Sequence, residues 1–146
     1  MEPILFYSTK GTYGAFSNFS AHSFVIGGKR WPTTEHYFQA QKFAGTEHEE
    51  AIRLIDSPMV AARMGRSRQR PLRKDWDAAK DDVMRIALHA KFTQHQDQQT
   101  LLLSTGEAQL IEHTKNDSYW ADGGDGSGKN RLGILLMELR DQLRTS

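Results

Sequence analysis

Four segments carry more polar and aromatic detail than packing requires. The first is Glu35-His36-Tyr37-Phe38-Gln39-Ala40-Gln41-Lys42-Phe43. On a helix, Glu35, Gln39 and Lys42 share one face at i, i+4 and i+7, with Phe38 and Phe43 able to pack beneath. Such a face can be a solvated stripe. It can also aim a carboxylate and an amine into one pocket. A carboxylate there serves as general acid or base if burial raises its pKa; a helix N-terminus pulls the other way, so burial has to win. His36 completes no His-Glu-x-x-His motif, and no other His pair has ligand spacing, so a metal site is not expected.

The second segment is Arg63 to Lys74, with six basic residues in twelve and no acid. It reads either as a solvated loop or as a phosphate clamp, because guanidinium forks match phosphate oxygens bidentately. In the third, Asn116 to Asp122, polar turn formers lead to Tyr119 and Trp120 and then to a carboxylate. Trp120 can be core, or a platform for a flat heterocycle with Asp122 beside the sugar. The fourth, Asp122 to Gly133, holds four glycines between 123 and 128. Gly123 to Lys129 formally fits G-x-x-x-x-G-K. Asn130 stands where the magnesium-binding hydroxyl belongs, so a P-loop is not expected. Gly-rich backbone entering a helix can still bind an anion, or be only a flexible loop.

The elements that must position these residues can be read from pattern. Ile4 to Tyr7 has strand length. Ser23 to Ile26, Gly27-Gly28 and Lys29 to Trp31 read as a hairpin with a two-residue turn. Pro32-Thr33-Thr34 opens a helix that either threonine can cap, and Glu35 falls in its first turn. A second helix is expected over Glu47 to Ile55. Ser57-Pro58 caps a third that stops near Gly65. Asp75 can cap a long helix to about Phe92, in which Trp76, Ala79, Val83, Ala87 and Ala90 recur at helical spacing. Thr100 to Leu103 and Leu110 to His113 are ambiguous. Leu132, Leu135, Leu136, Leu139 and Leu143 form the core stripe of a last helix. The expected class is α+β, a helix-dominated single domain over residues 1–146 with a small antiparallel sheet.

The 146 residues, net charge +1 and absence of cysteine bound the chemistry. Thiolate metal sites and a cysteine nucleophile are excluded. A charge of +1 argues against a globally basic nucleic-acid binder, though not against a local basic patch. No apolar run approaches the roughly 20 residues that span a bilayer, so no membrane partner is expected. The N-terminal residues lack the pattern of a secretory signal, and cytoplasm is the expected compartment.

The segments Phe16 to Phe19, Trp31 to Phe43, Ser57 to Arg66, Tyr119 to Gly124 and Gly126 to Gly133 together resemble the NADAR (YbiA-like) family, in order along nearly the whole chain. The resemblance implies an N-glycosidase that hydrolyses the bond between ribose C1 and an amino nitrogen. One branch of that family acts on phosphoribosylamino-pyrimidine intermediates of riboflavin biosynthesis. Another removes ADP-ribose from guanine bases. By resemblance, Glu35, Trp76, Trp120 and Asp122 fall on functional positions, with Phe16, Asn18, Lys42 and Asn130 as pocket members. Arg63 and Arg66 are expected to hold the phosphate. Glu35 or Asp122 would stabilise positive charge at C1 and activate water, or Lys42 would attack C1 as a Schiff-base amine. Neither route needs a cofactor or metal. The expected partner is a phosphoribosyl or ADP-ribosyl substrate, with ADP-ribosylated nucleic acid as a second possibility. A third is a non-catalytic ADP-ribose or nucleotide module, which would keep its function in Glu35→Ala. The sequence leaves the oligomeric state open.

Overall fold

The computed structural model describes residues 1–145. Among them, six α-helices and two short two-stranded sheets make an α+β fold in which helix dominates. The chain forms two compact units. One is Asn18–Lys91; the other joins Met1–Ser17 to the chain from Phe92 on.

In the Asn18–Lys91 unit, β2 (Phe24–Ile26) and β3 (Lys29–Trp31) form the expected antiparallel hairpin, with Ile26 opposite Lys29. That register leaves Gly27 and Gly28 as the loop, at φ +62° and +76°. Two consecutive left-handed residues are what a type I′ turn demands, and only glycine takes both without steric cost. Phe24 and Trp31 are buried while Val25 is exposed, so the strands alternate as a half-buried hairpin should.

Three capped helices follow. Helix α1 spans Thr34–Gln41, and Thr33 settles the choice of cap: its hydroxyl accepts from the His36 N–H at 3.1 Å. Helix α2 spans Glu47–Arg53 and is capped by Thr46. Helix α3 spans Pro58–Arg66, capped by Ser57 with Pro58 at its first position. Each cap stabilises its helix by about 1 kcal/mol. Helix α1 packs on both α2 and α3. His36 is fully buried; its ring bonds Thr33 Oγ1 at 2.8 Å and the Ile55 carbonyl at 2.7 Å, tying α1 to the end of α2. Helix α4 is longer, Trp76–Gln94. Asp75 precedes it as expected and accepts from Ala78 and Ala79 through its carbonyl. Its carboxylate, however, is taken by Arg73 at 2.6 and 2.8 Å, a bidentate guanidinium–carboxylate pair.

In the other unit, β1 (Ile4–Phe6) pairs in parallel with β4 (Leu110–Glu112). Sequence pattern points only to an antiparallel sheet. A parallel pair between strands of three residues, so far apart in the chain, carries no local signature. Helix α5 (Gln96–Ser104) absorbs the ambiguous 100–103 stretch. Helix α6 (Arg131–Arg144) packs on β4 and α5 through Leu132, Leu135, Leu136 and Leu139. Among the described residues, no helix is long and apolar enough to cross a membrane.

Candidate active site

The Glu35, Gln39 and Lys42 face of α1 is buried, not solvated. The three residues are 7%, 3% and 7% exposed. Their burial follows from how α1 meets α3. Gly65, near the end of α3, lies against Gln39, and a Cβ at position 65 would stand 1.9 Å from Gln39 Oε1. Only the absent side chain lets the helices close over the polar stripe.

Within this stripe Gln39 Nε2 donates to Glu35 Oε2 at 2.7 Å. The amide thereby holds the carboxylate in place, one helical turn away. Lys42 Nζ donates to the Gly65 carbonyl at 3.4 Å. It also lies 5.7 Å from the Phe38 ring centre and 5.9 Å from that of Trp76. Those two rings meet edge to face at 5.1 Å, so Trp76, at the start of α4, walls the amine. Burial, and then the positive charge of Arg68, hold the Lys42 amine down at about 8; the Glu35 carboxylate pulls it back up. Arg66 and Lys80 add smaller downward pushes. Asn18 sits beside the first turn of α1: its carbonyl accepts from the Glu35 N–H at 3.1 Å, and its buried Oδ1 has no hydrogen-bond partner. The result is a dry carboxylate and amine under an aromatic wall, with an open acceptor at the edge. A cationic sugar carbon is the kind of centre that such a carboxylate stabilises.

The two expected phosphate arginines differ in setting. Arg66, exposed at the end of α3, bears on the Lys42 charge. Arg63 is exposed one turn earlier, with Nη2 3.5 Å from Met59 Sδ.

The remaining expected residues lie in the other unit. Asp122 is 7% exposed, and three donors occupy its carboxylate. Oδ1 accepts from the Gly124 and Thr114 N–H groups at 2.8 and 3.2 Å, and Oδ2 bonds His113 Nδ1 at 2.7 Å. These bonds, the one to His113 first, hold its pKa below the ordinary aspartate value. Trp120 is half-buried and meets Tyr119 edge to face at 4.9 Å. Asn130 spends its amide on β4: Oδ1 accepts from the Glu112 N–H at 3.0 Å and Nδ2 donates to the Leu110 carbonyl at 2.9 Å. It thus acts as one more strand residue beside β4. Phe16 is fully buried, with its ring 5.7 Å from Phe6 and 6.0 Å from Phe92. Among the described residues no cluster of histidines and acids could hold a metal ion.

Two partners escape sequence reading. His113 is separated from Asp122 by nine positions with no common element. Arg68 is one of several arginines whose order of importance the composition cannot rank.

A buried carboxylate set beside an amine and an aromatic wall, on this helix-dominated α+β scaffold, defines a class. The NADAR domain family matches residues 5–144, and the chain belongs to it. It is 62% identical over 140 residues to the N-glycosidase YbiA of Escherichia coli, covering 96% of this chain and 88% of that one. The solution structure of the E. coli protein YbiA superposes with a TM-score of 0.92 at 60% identity, covering 99% of this chain and 86% of that one. The chain is also 42% identical to the maize riboflavin biosynthesis protein PYRR, covering 96% of this chain but only 25% of that longer protein.

Proposed function

We propose that this chain hydrolyses the C1–N bond of phosphoribosylamino-pyrimidines, the reactive early intermediates of riboflavin biosynthesis. The chain is an N-glycosidase, a hydrolase of N-glycosyl bonds, like the relatives it matches at 62% and 44% identity. The substrate within that class is supported by the riboflavin biosynthesis names of the maize and Vibrio vulnificus relatives. The whole chain acts as one NADAR domain in the cytoplasm, where these intermediates arise, and needs no cofactor.

The observation that carries the chemistry is the buried Glu35 carboxylate, fixed by Gln39 at 2.7 Å next to the Lys42 amine. As the C1–N bond lengthens, positive charge grows at C1. A fixed carboxylate in a dry site stabilises that charge without reorganising. It also accepts a proton from the water that adds to C1 and returns it to the departing nitrogen, which keeps the electron pair of the broken bond and leaves as the free amine. Asp122 is not assigned this step, because three donors already occupy it and hold it ionised. Lys42, held at about 8, is mostly ammonium near neutrality and acts as a cation rather than as a nucleophile. Borohydride added during turnover should therefore leave Lys42 unmodified, and a reduced adduct there would move the mechanism to a Schiff base. Trp76 and Phe38 exclude water from the pair.

The test offers the purified protein a phosphoribosylamino-pyrimidine and an ADP-ribosylated guanine, and follows base release by mass spectrometry. Release from the pyrimidine alone is expected. Release from guanine alone would reassign the substrate, and release from neither would sink the enzyme reading.

A further inference from the structure

We propose that Arg68, together with Lys42 across the Gly65 carbonyl, forms an anion subsite for a phosphate monoester. The identity of the ester rests on the phosphoribosyl reading above; the subsite itself does not.

The geometry is that of one acceptor shared by two cations. Lys42 Nζ and Arg68 Nη2 each donate to the Gly65 oxygen, both at 3.4 Å. The two nitrogens are therefore no more than twice that distance apart. Both bonds are long, at the weak end of the range for N–H donors. A single carbonyl dipole is a poor counterweight for two full charges. An anion with several oxygens is a good one, because it can face both donors at once.

The surrounding charges point the same way. Arg53, Arg73, Arg85 and Arg144 each have a carboxylate within ion-pair distance. Among the described residues Arg66, Arg68 and Arg70 have none. These three arginines fall together in one five-residue stretch, running from the end of α3 into the loop that passes the Lys42 amine, while Arg30, Arg63 and Arg140, which among the described residues also lack a carboxylate partner, lie outside it. Arg70 adds a donor without an acceptor, since its Nε is buried and unpartnered. Glu35, the acid whose charge bears on Lys42, already takes Gln39. No carboxylate among the described residues neutralises the positive charge of these three arginines. That charge also explains why Arg68 is the charge that most opposes the Lys42 ammonium. A bound dianion would reverse that opposition and keep Lys42 charged while substrate is present.

A phosphate monoester fits better than a nucleic-acid strand. The subsite is compact, lies against a 7%-exposed amine and is bounded by the Phe38 and Trp76 rings. A diester brings one negative charge and two substituents into that space, whereas a terminal monoester brings two charges and one.

The test titrates inorganic phosphate into the wild type and the Arg68→Ala and Arg144→Ala variants, the last replacing an exposed, carboxylate-paired arginine, and reads backbone amide shifts at Gly65 and Arg66. Arg68 is exposed, so its replacement does not threaten the fold. Saturable shifts are expected in the wild type and in Arg144→Ala, with binding weakened about tenfold in Arg68→Ala. Absence of phosphate shifts in the wild type, or equal affinity in Arg68→Ala, would overturn the subsite. So would shifts produced by a short single-stranded oligonucleotide but not by phosphate. Where substrate is turned over, Arg68→Ala should raise KM for the phosphorylated compound about tenfold and leave kcat/KM for its dephosphorylated form within about twofold. Equal losses on both would make Arg68 a purely structural residue. If neither substrate type is hydrolysed, the phosphate titration still decides the subsite on its own.

Discussion

Glu35 and Lys42 are separated by seven positions on one helix, yet the structure asks opposite things of them. Glu35 is the residue assigned to the reacting carbon. Glu35→Gln keeps the size and an oxygen that can accept from Gln39, but removes the charge. It should lower kcat by about 10²- to 10⁴-fold, the usual worth of a positioned acid–base group, while leaving the thermal unfolding midpoint near wild type. Steady-state rates and calorimetry on one preparation separate the two effects. Lys42 has a signature in stability instead. Its amine titrates at about 8 in the folded protein against 10.5 for the free group. Below pH 8 both states carry the proton, and the folded state bears the full cost of burying the charge. Between about 8 and 10.5 the unfolded chain binds more protons than the folded one, so stability rises with pH across that window. In Lys42→Met this rise should be missing, and the variant should be the more stable protein near neutrality. Urea unfolding at pH 7, 8.5 and 10 checks both statements. Asp122 behaves in the reverse sense. Its folded pKa is depressed, so the stability it contributes is present at neutral pH and is lost on acidification below the usual aspartate value of 3.8. In Asp122→Asn that acid-side loss should shrink.

At the scale of elements, the α1 and α3 contact makes the stripe into a site. Gly65→Ala would place a methyl within 2.8 Å of three Gln39 side-chain atoms. Gln39 must then move, and its bond to Glu35 moves with it. The expected cost is about 1–3 kcal/mol of stability, with a fall in kcat at nearly unchanged KM as the carboxylate loses its orientation. A variant with wild-type kcat would show that Gln39 does not position Glu35. Much at this scale was legible in the sequence. Thr33 and Ser57 cap as short polar residues before helices do, and Gly27-Gly28 turns as its type requires. The α1 face was legible as a set of residues but not as buried, because i, i+4, i+7 spacing describes a solvated stripe equally well. What decides it is Gly65, a residue on another helix. The β1–β4 pair and the Asp122–His113 bond were illegible for the same reason: each joins segments that share no local pattern.

For the whole molecule, a charge of +1 conceals an uneven distribution. Among the described residues the arginines at 66, 68 and 70 lack carboxylate partners, as do Arg30, Arg63 and Arg140, whereas four others have them. Two substrates could use that excess, and they differ in how salt should act. Hydrolysis of nucleic-acid-borne ADP-ribose would draw on many backbone phosphates, and its KM would climb steeply with salt, the logarithmic slope scaling with the phosphates neutralised. A phosphoribosylamino-pyrimidine offers a single phosphate, so its KM should respond with a slope near one or below. Measuring kcat/KM between 50 and 300 mM salt on whichever substrate is turned over therefore reports how much of the surface engages phosphate. A shallow slope that disappears in Arg68→Ala is expected, because one anion then meets one built site. A steep slope that survives this variant would place the recognition of substrate away from the α1 and α3 contact and favour the nucleic-acid substrate over the small one.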